Sequence, residues 1–194
     1  MKELKDMSVE ELWQIFPIIL KEHDPDYKLW YAEEKESLLY VLQDYDVYRI
    51  NHIGSTSVDG LIAKPIIDIL LELPNAYVMN NVAFLLQDSG WILMARNDEE
   101  KTLDLNKGYT PHGFAKKVYH LHVKPTGDWN ELYFRDYLQV HSDVAQQYEM
   151  FKLHLMEQFK HNRDAYTDAK ADFVMQYSKK ARKEFDRRYL PLYQ

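Results

Sequence analysis

Two stretches of this chain carry side chains whose types and spacing could do chemistry. The first is Arg49–Glu72, RINHIGSTSVDGLIAKPIIDILLE. Its Gly54-Ser55-Thr56-Ser57 is a glycine-led run of small hydroxyl residues. Glycine lets a ligand approach the backbone, and successive N–H groups and hydroxyls then bind phosphate oxygens. An ordinary strand-to-loop turn would use the same residues, and a short glycine motif does not decide between the two. Asp68 sits inside the apolar run PIIDILLEL, where an acid is costly unless something partners it. Strand alternation puts Asp68, Leu70 and Glu72 on one face. Carboxylates on a strand face suit Mg²⁺, which takes one or two of them together with substrate phosphates. Positions four apart are separated by roughly 13 Å along a strand, so Asp68 and Glu72 share an ion only across a bend or bulge. The structural alternative pairs Asp68 with Lys64 or Arg49 and leaves Glu72 as a solvent-facing strand end.

The second stretch is Lys117–Lys124, KVYHLHVK. His120 and His122 share one strand face there. Such a pair can bind a transition metal, and either ring can move a proton. Both could equally be hydrogen-bonding residues that line or underlie a cleft. Without cysteine, a zinc site would need His52 or a carboxylate. Lys64, Lys107, Lys124 and Arg135 are candidates for phosphate contacts, with Lys64 favoured by its place between the glycine turn and Asp68. Tyr166, Thr167 and Lys170 lie near an expected helix start and could face the same cleft.

These residues need a scaffold, and the hydropathy pattern outlines one. Ser8 and Glu11 form a capping box ahead of an apolar helical face, Pro17 interrupts that helix, and Asp24-Pro25 restarts it. The period then changes to strands at 47–54 and 65–73, the second an apolar run expected to be buried on both faces. Asn75 caps a helix that stops at Gly90. Strands are expected at 91–95, 102–105 and 117–124, with 107–114 (KGYTPHGF) as a turn-rich loop. Asp128 and Glu131 suggest another capping box, Ser142 caps a further helix, and Thr167 starts the last. The expectation is an α+β fold in one domain over 1–194. Its mixed sheet of about four or five strands lies at 45–125, with helices before it and a helical layer at 128–190.

Composition narrows the function. The chain has 194 residues and a net charge of −7, which argues against a nucleic-acid binder but leaves room for a local basic pocket. It has no cysteine, which excludes disulfides, thiolate zinc sites and a cysteine nucleophile. No apolar run approaches the roughly 20 residues that span a bilayer, and the N-terminus shows no apolar signal core. A cytoplasmic protein without membrane association is expected.

HIGSTSVDGLIAKPIIDI resembles the hallmark segment of the GrpB family, in which a His-Ile-Gly-Ser-Thr run is followed by Ala-Lys-Pro-Ile-Ile-Asp-Ile. HDPDYKLWYAEEKESL, HLHV, ELYFRDYLQVH and DAYTDAKADF match later and earlier family segments in order, so the resemblance covers about 10–182. It implies a nucleotidyltransferase-like fold in which Gly54 and Ser55 bind nucleotide phosphates and Asp68 holds Mg²⁺. This chain departs from that pattern at Leu70, which replaces the second carboxylate, and at Asp59, which replaces a proline. It also departs at His120 and His122, where a third acid is expected. Three readings follow. The first is Mg²⁺-dependent nucleotidyl or phosphoryl transfer from a nucleoside triphosphate to an acceptor. In it Gly54, Ser55, Thr56 and Ser57 hold phosphates, Asp68 with Glu72 binds the metal, and Lys64 and Arg135 offset charge. His120 or His122 then serves as a ligand or moves the acceptor's proton. The second is a nucleotide- or phosphate-binding protein without turnover. The third is a hydrolase with a metal on His52, His120, His122 and Asp68.

Overall fold

The computed structural model describes residues 2–74 and 77–191. Helix α1 (Val9–Ile15) opens on the expected capping box, with the Ser8 side chain accepting from the Glu11 N–H and the Glu11 carboxylate from the Ser8 N–H. It ends before Pro17. Helix α2 (Tyr27–Val41) starts later than Asp24-Pro25 suggests, because Asp24 accepts from the Asp26 N–H at 2.9 Å in a turn that leaves Asp26 as the cap.

Strands β1 (Arg49–Ile53), β2 (Ile67–Leu73), β3 (Ile92–Asn97), β4 (Thr102–Thr110) and β5 (Gly113–Pro125) form one sheet in the order β1-β2-β5-β4-β3. The β2–β5 pair is parallel and the others are antiparallel, so this is the expected mixed sheet. Alternation sorts its residues by parity. Ile67, Ile69, Leu71, Leu73, Leu103, Leu105, Leu121 and Val123 pack against Leu38 and Leu42 at α2 and against Val82 and Leu86 of α3 (Met79–Asp88). The even-numbered set takes the other face, where Leu70 packs with Ile53 and Leu132. That face is covered by α4 (Asn130–Val140), α5 (Ser142–Phe159) and α6 (Arg163–Ala169), with α7 (Ala171–Phe185) packed against α4. Tyr133, Leu138, Tyr148 and Tyr177 supply their shared core.

Several local expectations are corrected. The segment 107–114 is a β-hairpin rather than a loop. Thr110 Oγ1 closes its turn, donating to the Gly113 carbonyl at 2.9 Å and accepting from the His112 N–H at 3.2 Å. The pairing shifts from Lys107↔Tyr119 to Tyr109↔Phe114 around Gly108, whose φ of +88° few other residues tolerate. Asp128 does not cap α4, because it accepts from the Tyr133 hydroxyl and from Arg182. Ser142 is the first residue of α5 and makes no cap. The helix expected from Thr167 is split into α6, capped by Asn162, and α7. The cap expected at Asn75 lies outside the described residues. Among the described residues no helix is long and apolar enough to cross a membrane.

Candidate functional site

Strand register assembles the site. Asp68 of β2 lies opposite His120 of β5 and Leu70 opposite His122, while His122 lies opposite Asp104 of β4. Gly54 follows β1 with φ 70° and ψ −173°, a conformation essentially confined to glycine. A Cβ there would sit 2.2 Å from Asp68 Oδ2. The glycine is therefore required by the close approach of the Asp68 carboxylate to the turn. The hydroxyls that follow are largely spent on the turn itself. Ser57 Oγ donates to the Gly54 carbonyl at 2.6 Å, and Thr56 Oγ1 donates to the Ile66 carbonyl at 3.1 Å and meets His52 Nε2 at 2.9 Å. Only Ser55 Oγ turns to the helical layer, where it accepts from Lys152 Nζ at 3.1 Å.

A directed chain of hydrogen bonds ends on Asp68. Arg163 Nη2 donates to the Tyr109 hydroxyl at 2.8 Å, Tyr109 lies 2.7 Å from His120 Nε2, and His120 Nδ1 lies 3.0 Å from Asp68 Oδ1. Burial pushes the Asp68 carboxyl up. The His120 hydrogen bond and the charges of His120, His122 and Lys64 outweigh it and hold the group at about 2. An ionised carboxylate only accepts, so His120 carries its proton on Nδ1 and Nε2 accepts from Tyr109. Burial lowers His120 below the ordinary imidazole value despite Asp68, so its charge bears on Asp68 only in acid and the ring is neutral at pH 7. His122 differs. Burial lowers it too, but its 2.6 Å hydrogen bond to Asp104 and the nearby carboxylates prevail and raise it. His52 stacks on Tyr31 at 4.9 Å, and burial pushes it down to about 4.

Above Asp68 lies a cleft of about 330 Å³ whose lining includes Gly54, Ser55, Lys64, Lys152, Arg163 and Lys170. Lys152 is only 2% exposed and donates to Ser55 Oγ and to the Ile62 carbonyl. Burial lowers Lys64 to about 7, helped by the charges of Lys170 and Arg163, and lowers Lys152 to about 7, with Lys170 adding to the effect. Lys170 is lowered as well, again first by burial. Lys64 and Lys170 lie over the Tyr166 ring at 5.6 and 4.5 Å. Among the described residues none of these four cations makes an ion pair with a carboxylate. The buried Tyr166 hydroxyl likewise has no partner among them.

The structure therefore brings Gly54, Ser55, Thr56, Lys64, Asp68, His120 and His122 to one cleft, together with Tyr166, Thr167 and Lys170. It does not bring Glu72, Arg135 or Ser57 there. Glu72 is fully buried, gripped by Arg49 Nε and Nη2 at 2.6 and 2.8 Å and by the Gly127 N–H at 3.1 Å. Its carboxylate is filled by this pairing, so the expected metal role is corrected to a structural one. Arg135 is turned to Asp136, the His52 carbonyl and Tyr189, away from the expected phosphate role. Lys107 and Lys124 pair with Glu34 and Glu131. Among the described residues no three His, Asp or Glu side chains converge as a metal cluster, so the expected metal centre on His52, His120, His122 and Asp68 is not formed.

Sequence reasoning misses Lys152, Arg163, Tyr109 and Asp104. Lys152 does carry a signal. It continues the buried stripe Val144, Tyr148, Leu155 of α5, and a cation on the apolar stripe of a helix needs a reason to be there.

The GrpB protein family profile matches residues 17–180. The chain belongs to the GrpB family. It is similar to a glutamate-rich protein GrpB of Alkalihalophilus pseudofirmus, 34% identical over 163 residues that cover 81% of this chain and 91% of that one. It also resembles a UPF0157 protein of Pseudomonas aeruginosa, 34% identical over 78% of this chain. The match spans only 62% of that protein, and 41% of a UPF0157 protein of Bacillus subtilis. The crystal structure of conserved protein GrpB from Enterococcus faecalis superposes with a TM-score of 0.73 and 27% identity, over 86% of this chain and 99% of that one. Cid1 poly(U) polymerase with Mg and 3'-dATP bound superposes with a TM-score of 0.53 and 11% identity, covering 83% of this GrpB chain and 51% of Cid1. That likeness concerns the fold, which is nucleotidyltransferase-like.

Proposed function

We propose that this GrpB protein binds a nucleoside triphosphate, or another phosphorylated small molecule, in the Asp68 cleft and transfers a nucleotidyl or phosphoryl group from it. The observation that carries this reading is the convergence of Lys64, Lys152, Lys170 and Arg163 on a cleft whose one carboxylate, Asp68, pairs with none of them at ion-pair distance. Buried charge is ordinarily paired, and the partner that fits a cluster of this sign is a multiply charged anion. These side chains would hold phosphate oxygens and stabilise the charge that develops on them. Asp68 Oδ1 takes the His120 N–H, which leaves Oδ2 for a cation or an acceptor hydroxyl. A single Mg²⁺ fits that donor set, since the ion accepts one carboxylate with waters and phosphate oxygens, and would neutralise those oxygens. A pair of ions does not fit, because Leu70 stands where a second carboxylate is needed and Glu72 is held by Arg49. His122, oriented by Asp104, would take the acceptor's proton in its neutral form.

The test is thermal. A triphosphate with Mg²⁺ is expected to raise Tm, and Asp68→Ala and Lys152→Met each to abolish the rise. No shift with any of the four common nucleoside triphosphates, with Mg²⁺ or Mn²⁺, together with none from simple phosphate esters, overturns the proposal. Binding without turnover is the second reading. It is favoured by the burial of Leu70 against Ile53 and Leu132, which leaves apolar packing at the second carboxylate position. A Tm rise without any release of pyrophosphate or nucleoside diphosphate would support it.

A further inference from the structure

We infer that the phosphorylated ligand carries an aromatic or similarly apolar group, and that this group sits in a second cavity continuous with the Asp68 cleft. The inference rests on the phosphate reading of that cleft. The second cavity holds about 550 Å³, inside the range of about 300–1,000 Å³ common to small-molecule sites. Leu12, Trp13 and Phe16 line it from the N-terminal side, and Ile92 and Met94 from β3. Asn106, also in its lining, lies opposite His120 in the sheet. The floor of this cavity is therefore a continuation of the sheet face that carries the site.

The two chambers share walls. Arg163 and Thr167 line both cavities. Tyr109 stands between them, its hydroxyl on His120 and its ring against Phe16 at 4.8 Å. A molecule with its phosphate among the lysines and its apolar end on Trp13 and Met94 would pass beside Arg163. The rim leaves large apolar side chains in water, with Val9 51% and Met94 58% exposed. Covering them is favourable in proportion to the apolar area removed from water. Asn106 adds a polar group able to fix a ring by its heteroatoms.

Two probes of equal charge test this, methyl phosphate and 1-naphthyl phosphate, by calorimetry on the full chain. The naphthyl ester is expected to bind at least tenfold more tightly. Met94→Glu and Val9→Glu alter exposed rim positions and should leave the fold intact. Each is expected to remove most of the naphthyl advantage while methyl phosphate binding is unchanged. Equal affinity for the two esters overturns the inference and leaves the phosphate reading standing. So does a naphthyl advantage that survives both rim variants. Failure of both esters and of triphosphates to bind removes the phosphate reading and this inference with it.

Discussion

Gly54→Ala offers the sharpest check on how the turn and Asp68 fit together. The new methyl carbon would lie 2.2 Å from Asp68 Oδ2, 3.0 Å from its Cγ and 3.1 Å from its Cβ. Two costs follow. Holding a non-glycine residue at φ 70° and ψ −173° costs about 1–3 kcal/mol. The carboxylate must also move, which breaks the 3.0 Å hydrogen bond to His120, and a hydrogen bond to a charged group is worth about 1.5–3 kcal/mol. The expected loss is therefore roughly 2.5–6 kcal/mol in urea unfolding, against about 1 kcal/mol for an average substitution. A double-mutant cycle separates the two parts. In an Asp68→Ala background the carboxylate is gone and only the 3.1 Å contact with Cβ remains, so Gly54→Ala should cost little beyond the backbone part. The coupling should be roughly 1–3 kcal/mol. A Gly54→Ala cost that is the same in both backgrounds would refute the claim that Asp68 is what requires the glycine.

Other outcomes follow from the same geometry. Lys64 and Lys152 are lowered to about 7 when folded, so between about pH 7 and about 9.5 the unfolded chain binds more protons and stability should rise with pH. The raised His122 works in the opposite direction and should reduce the slope. A urea midpoint that falls over this range in the ligand-free protein would contradict the burial of both lysines. Triphosphate affinity should weaken over the same interval, since the anion favours the charged lysines, and isothermal titration in buffers of different ionisation heat should record proton uptake on binding. Arg49→Met should cost about 3–5 kcal/mol because it strands the buried Glu72, and Arg49→Met with Glu72→Leu should recover part of the loss in urea unfolding. Nitrogen-15 chemical shifts of His120 should report the Nδ1–H tautomer at pH 7, and the Nε2–H form would break the proposed direction of the hydrogen-bond chain.

Much of the fold and about half of the site are legible in the amino-acid sequence alone. Asp68, His120 and His122 are legible because a strand repeats every two residues, so parity places them on one face. The same parity places Glu72 with Asp68 but carries no information about Arg49, which lies on a neighbouring strand and fills the carboxylate. Lys152 and Arg163 reach the cleft from α5 and α6, far along the chain, and helical packing has no sequence period linking it to a sheet. The hairpin at 107–114 is hidden by its own turn residues, because glycines, proline and threonine serve a tight strand connection as well as a loop. Asp128 looks like a helix cap because local spacing cannot reveal the competing pull of Arg182.

The irregularity at Gly108 has a mechanical consequence. On β4 the side chain of Lys107 reaches Glu34 of α2, yet Tyr109, two residues on, reaches His120 on the opposite face. The shift from Lys107↔Tyr119 to Tyr109↔Phe114 makes that reversal. Gly108 thus lets one strand face α2 through Lys107 and the site through Tyr109. The Tyr109 side chain ties the hairpin's packing on Phe16 to the hydrogen bonds that orient His120 beside Asp68.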